Sequence, residues 1–131
     1  KLQVLVDNNT YIDHYYLGEP GVSYYVEMMK EDLFDAGYSD IMIRNAHSLG
    51  VDLKKITHIV LSHGHDDHSK GLKYLFSQFS LPNATLVAHP GCFAPGGSRA
   101  ATSARPSPKK RLPNSACISL PGRLATYLKT A

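Results

Sequence analysis

No aspartate or glutamate occurs after Asp67 in this chain of 131 residues. Residues 1 to 68 hold 5 Lys/Arg and 11 Asp/Glu, a net of −6, whereas residues 69 to 131 hold 9 Lys/Arg and no acid, a net of +9. The overall charge of +3 therefore hides two unlike halves. Any site that needs a carboxylate must draw it from the first half. Asymmetry of this kind marks either a tail that meets nucleic acid or a membrane surface, or two halves of different history.

Cysteine is scarce as well. Cys92 and Cys117 stand 25 positions apart and form neither a CxxC nor a zinc-ribbon pattern. A disulfide framework is therefore not implied, and two unpaired thiols in a reducing cytoplasm, the expected location, fit at least as well. No apolar run approaches the roughly 18 to 20 residues of a membrane span, so no membrane partner is expected. A basic stretch followed by an apolar one, the mark of a signal peptide, is not visible; the chain begins at Lys1 and not at Met, which leaves a processed start open. With 43% hydrophobic and 19% charged residues, the composition is that of a soluble globular protein with one modest core.

What is present reads, over the first ninety residues, as alternating strands and helices. "LQVLVD" (2–7), "VSYYVE" (22–27) and "DLFDAG" (32–37, stopping at Gly37) have the spacing and content of strands. The short polar link between the second and third predicts an antiparallel hairpin. Ser39 or Asp40 caps a helix over "IMIRNAHSLG", with Ile41, Ile43, Ala46 and Leu49 as its buried stripe and Gly50 as its stop. "ITHIVLS" (56–62) is a strand apolar enough to be buried on both faces. A helix over 71–79, with Leu72, Leu75, Phe76 and Phe79 on one side, and a strand at "ATLVAH" (84–89) follow. From Pro90 to Pro113 the Pro, Gly, Ser and Ala content is that of a loop; "LATYLK" near the end is the one later stretch with the character of a helical turn or strand.

"VLSHGHDDHSKGL" (60–72) places His63, His65 and His68, three of the chain's seven histidines, in six positions. After a buried strand alternate residues point the same way, so His63 and His65 can present imidazole to one point. Gly64 lets the backbone turn between them. Asp67 and His68 begin the next element and can face back. Neutral imidazoles and a carboxylate suit Zn²⁺, and iron or manganese accept the same set. A solvated polar loop with helix-capping histidines is the bland alternative; three histidines with Asp67 at this spacing favour metal.

The run H-x-H-x-D-H after a hydrophobic strand resembles the signature of the metallo-β-lactamase superfamily. "GVSYYVE", "LFDAGYSD", "GVDLKKITHIVLSHGHDDHSKGL" and "LVAHP" extend the likeness over roughly residues 2 to 93. They look like a hydrolase branch that includes proteins similar to the synthase of a ribofuranosylaminobenzene phosphate. The resemblance implies an α/β fold, an αββα sandwich of which this chain holds the N-terminal half (1–93), followed by a basic, atypical tail (94–131). It implies that His63 and His65 bind a first metal and that Asp67 and His68 bind a second, with Asp67 also orienting the attacking water. Asp35 matches an acid behind the ligands, against a turn residue before Gly37. Asn9 is a weaker match. The family completes its site with a further His, a bridging Asp and a final His from its second half, yet after His68 only His89 remains. His89 reads as a strand-end residue more readily than as a ligand.

The other histidines carry less. His14 lies in an aromatic loop with Tyr11, Tyr15 and Tyr16, able to pack or to wall a pocket, and His47 and His58 read as surface positions. One of Tyr24 and Tyr25 should be core and the other exposed.

Three functions follow. The first is a hydrolase with two zinc ions in a complete site, whose metal-bound hydroxide attacks a small-molecule ester, lactam or phosphoester. An exposed half-sandwich face then favours a homo-oligomer. The second is a nucleic-acid-processing relative, in which seven Lys/Arg from Arg99 to Lys129 contact phosphates; with Tyr127 as the tail's one aromatic for stacking, it ranks lower. The third is a non-catalytic metal-binding fragment, as a truncated or frame-shifted product would be.

Overall fold

The computed structural model describes residues 1–11, 14–93 and 117–118. Six strands form one sheet in chain order: β1 (Leu2–Val6), β2 (Ser23–Glu27), β3 (Glu31–Phe34), β4 (His58–Val60), β5 (Thr85–Val87) and β6 (Cys117–Ile118). The β1–β2 and β2–β3 pairs are antiparallel, and the β3–β4 and β4–β5 pairs are parallel. Each parallel step needs a crossover, as a hairpin cannot make one. The first is α1 (Ile41–Ser48); the second is α2 (Asp66–Ser69) followed by α3 (Gly71–Gln78). The result is a mixed α/β sheet with helices.

Period-two alternation assigns the two faces of the sheet. Tyr25, Leu33, Ile59 and Leu86 lie side by side in register, and all are buried. Met42, Ile43 and Ala46 of α1 and Leu72 and Leu75 of α3 join them in one core cluster. On the opposite face Val4, Tyr24, Phe34, Val60 and Val87 form a second apolar row in register. Val4 there is 50% exposed and Phe34 37%. Of the tyrosine pair, Tyr25 is the core residue and Tyr24 is half-buried. Burial, followed by the charges of Glu31, Glu27 and Asp52, raises the pKa of the Tyr25 phenol.

Three details depart from the sequence reading. The third strand ends at Phe34 and not at Gly37, because Asp35 takes a φ of 54°, which no strand accommodates. The buried face of α1 is Met42, Ile43, Asn45 and Ala46, while Ile41 and Leu49 pack half-buried at its flanks. A polar residue displaces the expected stripe because Asn45 anchors the long first loop. Its Nδ2 donates to the carbonyls of Leu5 and Leu17, both at 2.7 Å, and its Oδ1 accepts from the Leu17 N–H. The third is β6, paired antiparallel with β5 through Leu86↔Ile118 and Val87↔Cys117, at a place where two residues among Ser and Pro leave no alternation to read.

The ends of α1 follow from local chemistry. Asp40 makes no side-chain cap. The Ser39 hydroxyl accepts from Ile41 N–H at 3.3 Å, and Glu19 accepts from the N–H groups of Tyr38 and Ser39 and from the Ser39 hydroxyl. At the C-terminus Gly50 takes φ 68°, with Val51 N–H on Ala46 O and Gly50 N–H on His47 O, the paired bonds of a Schellman stop. Among the described residues no helix is long and apolar enough to cross a membrane. The "LATYLK" stretch and most of the basic tail lie outside the described residues.

Leu33 is fully buried at the centre of the sheet. Leu33→Ala should cost about 2–5 kcal/mol of stability, read as a lower denaturant midpoint with an unchanged slope.

Candidate metal centre

The site lies where two parallel strands end together, the usual place for a ligand in such a sheet. Past β3 and β4 the ladder adds one more bond, Asp35 N–H to Val60 O at 2.8 Å, before the chains part. Leu61 is held to Val87 O at 2.9 Å, and Ser62, His63 and Gly64 form the turn that follows. His65 then stands as the N-cap of α2, its carbonyl accepting from the His68 and Ser69 N–H groups and the Ser69 hydroxyl. The two strand ends are joined again by Ala36 N–H on His68 O, 2.8 Å, and Gly71 N–H on Gly37 O, 3.0 Å.

Two glycines make this packing possible. Gly64 was expected to supply the bend, but its φ is not left-handed. Space is the requirement: a Cβ there would come within 2.6 Å of the Cys92 Cα and 2.5 Å of its carbonyl oxygen. Gly21, at φ 99°, lies against the Asp67 backbone, and a side chain there would overlap the Asp67 carbonyl.

The assembled cluster is small. His63, Asp67 and His68 each offer a ligand atom, and the three atoms lie within 4.8 Å of one another. The His63 and His68 rings are 4.1 Å apart, and His68 Nε2 lies 3.6 Å from Asp67 Oδ2. Behind them is Asp35, at 0% exposure. Its Oδ1 accepts from Ser62 N–H at 2.8 Å. Its Oδ2 accepts from the Ser62 hydroxyl at 2.7 Å and faces His68 Nδ1 at 2.8 Å. His68 is thereby tied at Nδ1 and presents Nε2 towards Asp67. Burial, with the neighbouring His68 and His65 next in weight, lowers the His63 pKa below its ordinary 6.5 and so favours the neutral imidazole that metals bind.

The remaining candidates separate. The His65 ring lies 4.4 Å from that of His63, but His65 is not among the three mutually close ligand atoms. His89 is exposed, and its Nδ1 accepts from Gly91 N–H at 3.1 Å. His14 packs edge-on to Tyr11 and stacked on Tyr16. Asn9 is exposed and donates its N–H to Asp7. His47 is exposed as expected. His58, read as a surface residue, is only 28% exposed. Its Nδ1 sits 3.0 Å from both Asp32 Oδ1 and Thr57 Oγ1, because the parallel register places Asp32 beside it. Ser62 is the residue that sequence reasoning missed; its one signal is a hydroxyl immediately before the first ligand candidate.

A strand-to-helix turn that gathers imidazoles and a carboxylate in front of a buried acid is a cluster able to hold a metal ion. Residues 17–115 match the sequence profile of the metallo-beta-lactamase superfamily, and the chain belongs to that superfamily. An uncharacterized protein of Methanocaldococcus jannaschii, MJ0448, is 38% identical over 93 residues, 70% of this chain and 35% of the relative. The chain thus spans about a third of that relative's length. Among solved structures it is similar to Tm1679, described as a metal-dependent hydrolase of the beta-lactamase superfamily: 39% identity, 56% of this chain and 26% of that one, TM-score 0.47. It is also similar to the metallo-beta-lactamase MIM-1 of Novosphingobium pentaromativorans: 26% identity, 50% and 24% covered, TM-score 0.41.

The donor set fits a divalent ion of the zinc type. Two imidazoles and a carboxylate are borderline-to-hard ligands, and three protein ligands leave a coordination position open. The buried Asp35 supplies the outer contact that ligating histidines ordinarily have. Asp35→Ala strands three donors and places a residue with no polar side chain at φ 54°. Zinc affinity should fall about 10–100-fold in a competition titration against a chromophoric chelator. Protons compete with metal for the histidines, so wild-type affinity should fall as pH drops through the imidazole range. The lowered His63 pKa moves its share of that loss to more acid pH, and the same titration run from neutral pH downwards measures the slope.

Proposed function

We propose that this chain is the ligand-bearing N-terminal part of a metal-dependent hydrolase that acts on a small ester, lactam or phosphoester. The observation that carries the reading is the group of His63, Asp67 and His68, with ligand atoms within 4.8 Å of one another in front of a buried carboxylate. Zinc is the favoured ion, with two in the completed site; iron or manganese would suit the same donors. When bound, the metal supplies Lewis acidity and a water activated near neutral pH.

The chain's own residues have separable tasks. His63 and His65 hold one ion and Asp67 with His68 a second, while Asp35 orients His68. The His65 ring adjoins that of His63, at 4.4 Å. Asp67, 36% exposed, is the one carboxylate of the cluster open enough to accept a proton from water and orient it. His89 has no assigned task, as its Nδ1 is engaged by Gly91. Residues 1–93 make up the ligand-bearing unit and 94–131 a basic tail. The branch is that of the ribofuranosylaminobenzene-phosphate-synthase-like hydrolases, and the location is the cytoplasm. The open apolar row from Val4 to Val87 favours association of this chain with copies of itself.

A second reading is supported by a specific observation: among the described residues no further His, Asp or Glu joins the cluster. On that reading the chain holds metal without turnover. Metal analysis of the purified protein, combined with a panel of ester, lactam and phosphodiester substrates, separates the two. Hydrolysis should be metal-dependent, abolished in His68→Ala and reduced about 10²–10⁴-fold in Asp67→Asn. Bound metal with no turnover on the whole panel would select the second reading, and failure to retain any divalent ion would remove both.

A further inference from the structure

We infer that Ser62 is a positioning residue that fixes the tautomer of His63, so that His63 presents Nε2 and not Nδ1 to a metal. The inference rests on the metal-site reading above and assigns a task to a residue that reading leaves unused.

The protons available around Ser62 fix the tautomer of His63. Ser62 Oγ lies 2.7 Å from Asp35 Oδ2, 2.8 Å from His63 Nδ1 and 3.5 Å from His68 Nδ1. A serine hydroxyl has one proton to donate and two lone pairs with which to accept. Asp35 is a carboxylate at 0% exposure, where each charge-assisted hydrogen bond is worth more than a neutral one and an unmet acceptor is costly. The Ser62 proton therefore goes to Asp35 Oδ2. Ser62 Oγ is then an acceptor towards His63, and the 2.8 Å contact requires a proton on His63 Nδ1. A neutral imidazole protonated at Nδ1 has its lone pair at Nε2.

The opposite tautomer is penalised. With His63 protonated at Nε2, the bare Nδ1 would face a hydroxyl whose proton is already committed. Either the 2.8 Å contact joins two acceptors, or Ser62 turns its proton away from the buried carboxylate. His68 reaches the same state by the direct route, Nδ1 to Asp35 Oδ2 at 2.8 Å. One buried acid thus sets two ligands, His68 by contact and His63 through Ser62. The Ser62 backbone N–H on Asp35 Oδ1 holds this geometry whatever the side chain does.

Ser62 is exposed, so removing its hydroxyl can be tested without opening the core. The direct test is nitrogen-resolved NMR of the histidine rings in the metal-free 131-residue chain at neutral pH, on wild type, Ser62→Ala and Ser62→Thr. His63 should read as the Nδ1–H tautomer in wild type and in Ser62→Thr, and as a mixture in Ser62→Ala, with His68 unchanged in all three. Zinc affinity should fall about 10-fold or more in Ser62→Ala and stay near wild type in Ser62→Thr. An Nε2–H signal for His63 in the wild type would overturn the inference, even if the Ala variant failed to fold. Unchanged His63 signals and zinc affinity in Ser62→Ala would also overturn it. Failure of the wild type to bind zinc, with the Nδ1–H signal in place, would instead remove the metal reading and leave the Ser62 contact standing.

Discussion

The candidate site depends on one buried carboxylate. Asp35 stands at the end of a central strand at 0% exposure and accepts hydrogen bonds from two points of the neighbouring strand-to-helix turn. Burying an ion costs several kcal/mol unless it is well partnered, so the partners are held to the geometry the carboxylate requires. The backbone bonds at Ala36 and Gly71 close the same junction from below. Ser62, His63 and His68 are thereby arranged around Asp35 before any metal arrives. An arrangement made in advance spares a bound ion the cost of ordering its ligands.

The rest of the fold can be understood as support for that junction. The parallel register of β3 with β4 carries the Asp35 N–H onto Val60 O, within reach of Ser62, and α1 and α3 cover the buried face beneath them. The first loop is drawn in by Asn45 and Glu19, which brings Gly21 against the Asp67 backbone. Substituting an apolar residue for Asn45 would satisfy the helix pattern but release the loop.

Much of this was legible in the sequence, for identifiable reasons. The strand-helix alternation came from apolar spacing, and the histidine turn came from residue types whose chemistry is narrow. Asp35 could be suspected as an acid near the site, but its left-handed backbone could not, since Asp rarely adopts it outside a tertiary context. The Met42 and Asn45 face of α1 was hidden because a polar side chain with a long-range task does not obey hydropathy. Gly64 pointed to the right place for the wrong reason: crowding against Cys92 depends on a residue 28 positions away. Ser62 looked like an ordinary strand-end residue because its meaning lies in what the strand beside it carries. The second half of the expected sandwich has no counterpart among the described residues of a chain that spans about a third of its relative's length.

The reading stands or falls on whether the turn carrying His63, His65, Asp67 and His68 binds a divalent metal. X-ray absorption of the zinc-loaded chain tests it most directly. Nitrogen and oxygen scatterers are expected at about 2.0–2.2 Å, with the outer-shell pattern of at least two imidazoles, lost when His63 and His68 are both replaced by alanine. A sulfur scatterer at about 2.3 Å or a shell of water without imidazole would contradict it.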